Sequence, residues 1–302
     1  MKVRPSKNLS PSKNLSLAIS HGDKVFWPAE GYTKLDLANY YCAVFRKLRP
    51  YVEDRILTLE RCPDGMGGEC FYQKEKPKGL PSNTPTKRIR RADGGWTNYV
   101  VGGSLATQLA LVNFGCIPVH VFGSRARTFP KPDWMCIDID PSSGEFSHAA
   151  EASLYVKEAL DALKLISYAK TSGSRGLHVL VPIRPGPTAD EVLSFAESLV
   201  RQVAAAHPKQ LTVEHSIAGR GKRVYLDPFR NGSVQTVVAP YSVRRRAGAP
   251  VSTPLDWNEV QVKLDPADFN IGNFHERLKR ADPWADFFKS RQSLRAAMQS
   301  LR

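Results

Sequence analysis

The chain has 302 residues, 42% of them hydrophobic and 24% charged, with 43 Lys and Arg against 29 Asp and Glu and a net charge of +14. That balance excludes a fibrous, low-complexity or wholly disordered chain and supplies enough apolar residue for one large domain or two small ones. The positive excess is clustered, as in Lys87-Arg88-Ile89-Arg90-Arg91 and Arg244-Arg245-Arg246, and clustered cations point to a polyanion, nucleic acid above all.

The chain opens on a tandem repeat, "PSKNLS" at 5–10 and again at 11–16. Such polar Pro/Ser repeats bury too little surface to fold, so residues 1–17 are expected to be a disordered tail. From Thr33 the segment "TKLDLANYYCAVFRKLRPYV" has the spacing of an amphipathic helix, with Thr33 as N-cap and Asp36 in its first turn. "RILTLERC" follows as a strand, and residues 76–95, rich in Lys, Arg, Pro and Gly, are predicted to form a long basic loop. Phe71 and Tyr72 lie in a strand-like run, where alternation puts one of the two toward the core. The charge-free stretch from Asn98 to Ser124 is long enough to cross a bilayer. Gly102-Gly103, Gln108, Asn113, Pro118 and His120 interrupt it, so a buried helix followed by a buried strand is the better reading. Five cysteines without a C-x-x-C pair argue against a disulfide framework and for a reducing, cytoplasmic compartment, with no secretory signal at the start.

The centre is more regular. "DWMCIDID" reads as a strand, Ser147 to Leu165 as a helix, "ISYAKTSG" and "GLHVLVPI" as two strands around a Gly-rich turn, and Thr188 to His207 as a helix opened by a Thr188/Glu191 capping box. "LTVEHS" and "RVYLDPF" close the run as strands. The order β-α-β-β-α-β is the split βαβ (RRM-like) arrangement, a four-stranded sheet with two helices on one face. From Asp265 onward a mainly helical segment is expected. The fold class is therefore α+β, a split-βαβ, palm-like unit of residues 133–264 following an N-terminal α/β module, with helices packed around antiparallel or mixed sheets.

Asp138 and Asp140 flank Ile139 at the end of the "IDID" strand, so both side chains leave the same face. Asp227 ends "RVYLD", which the split βαβ order can lay beside them. Three converging carboxylates suit two divalent cations, and hard oxygen donors favour Mg²⁺ or Mn²⁺. The turn "TSGSRGLHV" adds backbone N–H groups around Ser172 that can approach phosphate, with Arg175 and His178 nearby. It is not a Walker A loop, because no G-x-x-x-x-G-K-[ST] is present. A D-x-D glycosyltransferase would account for neither Asp227 nor the basic loop, and a DNA end-bridging module without chemistry would have no use for all three carboxylates.

Taken together, "MCIDIDP", "TSGSRGLHVLVP" and "VYLDPFRNGSVQTVVAPYSVRRRAGAPVSTPLDWNEV" resemble the polymerase domain of bacterial DNA ligase D, a branch of the archaeo-eukaryotic primase superfamily that acts in non-homologous end joining. "KVFWPAEGYTKLDLANYY" and "LERCPDGMGGECFYQK" extend the likeness, which covers about residues 18–290 as a single primase-polymerase domain. It divides into an N-terminal module at 18–132, the palm at 133–264 and a helical segment at 265–290, leaving 291–302 as a tail. The resemblance implies a template-directed enzyme that adds nucleotides, ribonucleotides preferred, to DNA ends or short 5′-phosphorylated gaps. It assigns Asp138, Asp140 and Asp227 to the metals, and Arg61, Lys74, His120, Ser172, Arg175, His178, Arg220, Arg230 and Arg244 to the incoming nucleotide. Lys24 and Lys34 are assigned to a downstream 5′-phosphate, Phe71 and Tyr72 to stacking on template bases, and Lys87, Arg88, Arg90 and Arg91 to the loop that bridges broken ends.

Pro118 stands where the family would place an acidic residue, and Val121-Phe122 where it would place Pro-Trp, which affects the shape around His120. There is no K-x-D-G ligase motif, since "RADG" at 91–94 has Arg in the lysine position. The resemblance thus implies a polymerase whose ligation comes from a separate ATP-dependent ligase, with Ku as a further partner, acting at the nucleoid. A gap-filling or primer-making role in excision repair is the alternative within the same class.

Overall fold

The computed structural model describes residues 19–142 and 145–301, so the predicted 1–17 tail lies outside the described residues. The chain divides into two compact units whose sequences interleave. One comprises 1–121, 238–252 and 267–281, the other 122–237, 253–266 and 282–302.

In the first unit a short hairpin, β1 (Val25–Trp27) and β2 (Tyr32–Thr33), leads into α1 (Lys34–Val52). The predicted N-cap is reciprocal: Asp36 N–H donates to Thr33 Oγ1 at 3.2 Å, and Thr33 N–H donates to the Asp36 carboxylate at 2.7 Å. Behind α1 lies a sheet containing β3 (Arg55–Arg61), its antiparallel edge strand β4 (Phe71–Gln73), and, on the other side of β3, a longer strand from Cys116 onward.

The stretch read as a basic loop is partly ordered. β5 (Thr86–Arg90) and β6 (Trp96–Val100) pair as a hairpin, with Arg88 opposite Asn98 and Arg90 opposite Trp96. Its Pro/Gly-rich flank and five-residue turn hid the alternation of exposed Arg88 and Arg90 with buried Ile89. The predicted buried helix and strand follow as α2 (Leu105–Asn113) and β7 (Cys116–Arg125), whose chain passes from the first unit into the second. No helix among the described residues is long and apolar enough to cross a membrane.

One disulfide departs from the reading against a disulfide framework: Cys62 is bonded to Cys70, their Cα atoms 4.4 Å apart. The cause is register. Arg61 and Phe71 are cross-strand partners on β3 and β4, so the residues just beyond them meet across the mouth of the intervening loop. An eight-residue separation carries no local signal for a bond that depends on this hairpin pairing.

The second unit contains the strands and helices predicted for the palm, while residues 238–252 of the predicted 133–264 span belong to the first unit. β8 (Trp134–Pro141), α3 (Phe146–Ala162), β9 (Tyr168–Thr171), β10 (Leu177–Pro182), α4 (Ala189–Ala206), β11 (Leu211–Thr212) and β12 (Val224–Asp227) give the sheet order β11-β12-β8-β10-β9, extended beyond β9 by the two-residue strand Pro254–Leu255. Its four-strand heart, β12-β8-β10-β9, is the split βαβ order, and α3 and α4 pack on one face. The protein is thus α+β. Ile137 and Ile139, both fully buried, point toward the helices, which leaves Asp138 and Asp140 on the opposite face.

The segment from 265 differs from its reading as a mainly helical block. Among its described residues it holds short helices alone, a 3₁₀ turn at Pro266–Asp268 and α-helices at Phe274–Leu278 and Arg295–Ser300, and 267–281 belongs to the first unit while the chain from 282 belongs to the second. Residues 291–302, read as a tail, include the buried Leu294 and Ala297. The segment is tied to the end of β10 by its backbone: Gln292 N–H donates to Pro182 O at 3.2 Å and Arg184 N–H to Gln292 O at 2.9 Å, and just before it Trp284 stacks on Phe287 with centroids 4.9 Å apart and donates its indole N–H to Ala169 O at 3.0 Å.

The turn between β9 and β10 is tight for a stated reason. Ser172 N–H donates to Gly176 O at 2.9 Å, while Ser172 Oγ accepts from the N–H groups of Ser174 and Gly176, both at 3.2 Å. A Cβ on Gly176 would stand 2.1 Å from Ile139 O, so the backbone of β10 must shift away from the aspartate strand to admit one. Gly176→Ala is expected to destabilise the protein by about 2–3 kcal/mol, read as a lowered thermal midpoint; an unchanged midpoint would show that this turn is slack.

Candidate functional site

On the open face of the palm, register builds a polar row. Asp138 on β8 faces His178 on β10 and Asp227 on β12, and Lys170 on β9 faces His178 in turn. Directly opposed residues in antiparallel strands share a face, so these four side chains run side by side across the sheet. His178 Nε2 lies 3.4 Å from Asp138 Oδ1.

Between the two carboxylates sits a guanidinium. Arg230 Nε donates to Asp138 Oδ2 at 3.1 Å and lies 3.4 Å from Asp227 Oδ2. The local chain dictates this. Asp227 Oδ1 accepts from Phe229 N–H at 2.8 Å, starting a 3₁₀ turn, Phe229–Asn231, that swings Arg230 back over the strand it has just left. Asn231 then pins the turn to β8, accepting from Cys136 N–H at 2.8 Å and donating to Cys136 O at 2.7 Å.

Burial pushes the Asp138 carboxyl pKa up, and the neighbouring Asp227 adds to that against the pull of Arg230. For Arg230 burial works the other way, but Asp138 and Asp227 outweigh it and raise its pKa. Asp140 is held separately: Arg220 Nη1 donates to its Oδ2 at 3.2 Å, and Arg175 Nη2 stands 3.8 Å from Oδ1. Arg220 is fixed in turn, its guanidinium 3.9 Å over the Tyr225 ring and bonded to the carbonyls of Glu214 and His215.

The predicted triplet is therefore split. Asp138 and Asp227 converge on one cation, Asp140 is drawn to another, and no group of three or more His, Cys, Asp or Glu placed to hold a metal ion occurs among the described residues. Ser172 is buried in the turn described above, and Arg175 is exposed at its tip.

The remaining predicted residues lie in the first unit. Arg61 donates through Nε to Phe114 O at 3.0 Å and through Nη1 to Gln73 Oε1 at 2.8 Å, with its guanidinium about equally close to the rings of Phe71 and Phe114. Phe71 and Tyr72 are 42% and 63% exposed, so neither faces the core. β4 is a three-residue edge strand without a second layer over it, and alternation therefore buries neither ring.

The sequence reading missed Glu60, whose side chain is only 7% exposed. Glu60 Oε1 accepts from Arg245 Nε at 2.6 Å, while Oε2 lies 3.1 Å from His120 Nε2 and 3.4 Å from the Tyr72 hydroxyl. Burial would raise its pKa, but hydrogen bonds and charge from His120 and Arg245 overcome that and hold it at about 2. Arg244, next to Arg245 in sequence, is half-buried, and Lys74 is exposed just after β4.

Lys34 is buried and donates to Ser20 O at 2.7 Å and Asn113 Oδ1 at 2.8 Å. Burial and the nearby Lys24 lower its pKa; Lys24 itself pairs with Asp64. On the hairpin, Arg88 lies 4.5 Å over the ring of Trp96, an exposed aromatic that the sequence reading did not single out, and Arg91 pairs with Asp93 at 3.0 Å. Arg90 is exposed and Lys87 half-buried. Alternation around residue 88 was the available signal for Trp96.

Comparison with known proteins adds the following. The family profile described as LigD, primase-polymerase domain, matches residues 33–284. The multifunctional non-homologous end joining protein LigD of Pseudomonas aeruginosa is 30% identical over 98% of this chain and 36% of its own length. The bifunctional non-homologous end joining protein LigD of Bacillus subtilis is 30% identical over 96% of this chain and 46% of its own length. This chain thus spans less than half of either relative. Among solved structures, the polymerase domain from Mycobacterium tuberculosis ligase D in complex with DNA superimposes with a TM-score of 0.83 at 24% identity, covering 90% of this chain and 97% of that one, a likeness of fold.

Proposed function

This chain belongs to the LigD primase-polymerase family, and from that premise we propose that it is a template-directed nucleotidyltransferase acting on DNA. It adds nucleotides, ribonucleotides preferred, to primer 3′ ends at breaks and short 5′-phosphorylated gaps in non-homologous end joining. Ku and an ATP-dependent ligase activity are the proposed partners and the cytoplasmic nucleoid the proposed setting. The observation that carries this reading is the pair Asp138 and Asp227 closed on a single cation, Arg230.

Two buried carboxylates side by side repel unless positive charge lies between them. Arg230 stands in that place, so the seat accepts a cation, and its donors are hard oxygens suited to Mg²⁺ or Mn²⁺. Asp138 and Asp227, with Asp140 from the same face, would hold the divalent ions, which when bound lower the pKa of the primer hydroxyl and offset charge on the triphosphate. The chain's own groups do the rest. Ser172 keeps the 172–176 turn closed, Arg175 extends from its tip, and Arg220 is clamped between Tyr225 and two carbonyls. These fixed cations suit a polyphosphate whose charge grows on the leaving pyrophosphate. No side-chain nucleophile is required.

Lys34 and Lys24 form the proposed seat of the downstream 5′-phosphate. Lys34 is desolvated and close to a second ammonium, an arrangement relieved by an anion. The test is extension of a labelled primer across a gap of a few nucleotides, with Mn²⁺ or Mg²⁺, each ribo- and deoxyribonucleotide, and a downstream strand with or without its 5′-phosphate. Templated addition stimulated by the phosphate supports the reading; DNA binding without addition under every condition overturns it in favour of an end-bridging module. In the same assay Lys34→Met, which keeps the stem and removes the charge, is expected to lose about tenfold of the stimulation while extension without the phosphate persists. Stimulation that survives the substitution would place the phosphate elsewhere.

A further inference from the structure

Glu60 is a carboxylate buried among cations on a surface that otherwise selects for anions, and this calls for an account. Its strand, β3, is largely apolar up to that point: Ile56, Leu57 and Leu59 are buried. An ionised group there is tolerated only when its oxygens are satisfied. Glu60 meets that condition by gripping three side chains from three segments, Tyr72 on β4, His120 on β7 and Arg245.

What those three side chains present outward is the informative part. Arg245 is 41% exposed and is held through Nε, so its Nη edge is the part directed to a ligand. Tyr72 is 63% exposed, anchored at its hydroxyl, and its ring meets the His120 ring edge-on with centroids 5.8 Å apart. An ion pair serving only the fold would gain little from an arginine so open to water. A carboxylate that fixes a guanidinium edge, an imidazole and an aromatic face side by side is instead built to hold them for something that binds there.

We infer that Glu60 is a positioning residue of the nucleotide site, orienting Arg245, His120 and Tyr72 toward the phosphates, sugar and base of a nucleoside triphosphate. The inference rests on the function proposed above, adds Glu60 and Arg245 to the nucleotide set, and moves Tyr72 there from the template-stacking role the sequence had given it. Arg245 takes a share of the role that the sequence had given to Arg244. Glu60 touches no substrate itself; it acts through the groups it holds.

A double-mutant cycle read as ATP affinity in the presence of Mn²⁺ tests this, with the melting temperature of each variant measured alongside. Glu60→Gln and Arg245→Ala are each expected to weaken ATP binding about tenfold. The double variant should be weaker by about tenfold as well, not by the hundredfold that independent sites would give. Tyr72→Phe removes only the hydroxyl that Glu60 accepts and should cost about threefold, which keeps the inference open to test should Glu60→Gln fail to fold. Glu60→Gln that melts lower yet binds ATP as the wild type does would make Glu60 a residue of the fold alone, and full additivity would separate it from Arg245. Wild-type protein that binds no ATP would instead overturn the proposed function, and this inference with it.

Discussion

Asp138→Ala is expected to extend a gapped primer at less than about a thousandth of the wild-type rate while binding the same DNA with unchanged affinity. The argument starts from position. Asp138 stands at the centre of the polar row, with His178 on one side and Asp227 on the other, and its side chain is 19% exposed. It therefore offers almost no surface to a duplex, whereas the groups proposed to hold DNA lie on other elements: Lys24, Lys34 and the exposed hairpin arginines. Removing Asp138 leaves Asp227 alone with Arg230 and takes one of the two convergent oxygen donors from the proposed metal seat. The fold should tolerate this, because burial already works against the charged form of Asp138 and an alanine relieves that cost. A primer-extension time course and a gel-shift titration on the same gapped duplex measure the two quantities. Parallel loss of both would mean that Asp138 shapes the DNA surface and is not specific to the chemistry.

Much of this arrangement was legible from residue types and spacing, and the exceptions have physical causes. The palm was readable because its signals are local. Thr188/Glu191 and Thr33/Asp36 announce helix starts through reciprocal bonds within four residues, and "IDID" states which residues share a face. The convergence of Asp138 with Asp227 follows from the split βαβ order, which places β12 beside β8. What escaped the reading depends on register between distant segments. The Cys62–Cys70 bond needs the β3–β4 pairing, and the docking of the chain after 290 needs the backbone bonds of Gln292 with Pro182 and Arg184. Glu60 needs Tyr72, His120 and Arg245 brought to one point. In sequence Glu60 is one acid in a strand, indistinguishable from a solvent-facing residue. Its function as a hub exists only once three segments, up to 185 residues apart, have met. Asp140 illustrates a subtler limit. Its face was predicted correctly, but Arg220 and Arg175, competing cations from other loops, decide where its carboxylate points.

That competition leads to a second large effect. Arg230→Gln is expected to move metal and nucleotide affinity in opposite directions: nucleotide-free protein should bind Mn²⁺ about tenfold more tightly, and ATP should bind about tenfold more weakly. Arg230 is both a ligand to two carboxylates and a cation that a triphosphate would attract. With no nucleotide present its guanidinium bonds Asp138 and stands against Asp227, so a divalent ion must displace it before using the same oxygens. Glutamine keeps the stem and a donor but carries no charge, and that barrier falls. Once a triphosphate arrives the balance reverses. The phosphates would offer Arg230 a new partner, the carboxylates would be left to the metal, and the arginine that opposes the metal in the free protein would favour the nucleotide. Binding of metal and of nucleotide should therefore be positively coupled in the wild type and less so in Arg230→Gln, since coupling between two ligands is reciprocal. Calorimetric titration of Mn²⁺ with and without a non-hydrolysable ATP analogue measures that coupling. Equal Mn²⁺ affinity in the two proteins would mean that Arg230 yields its place at no cost, and the carboxylate pair would then be a seat for metal from the start.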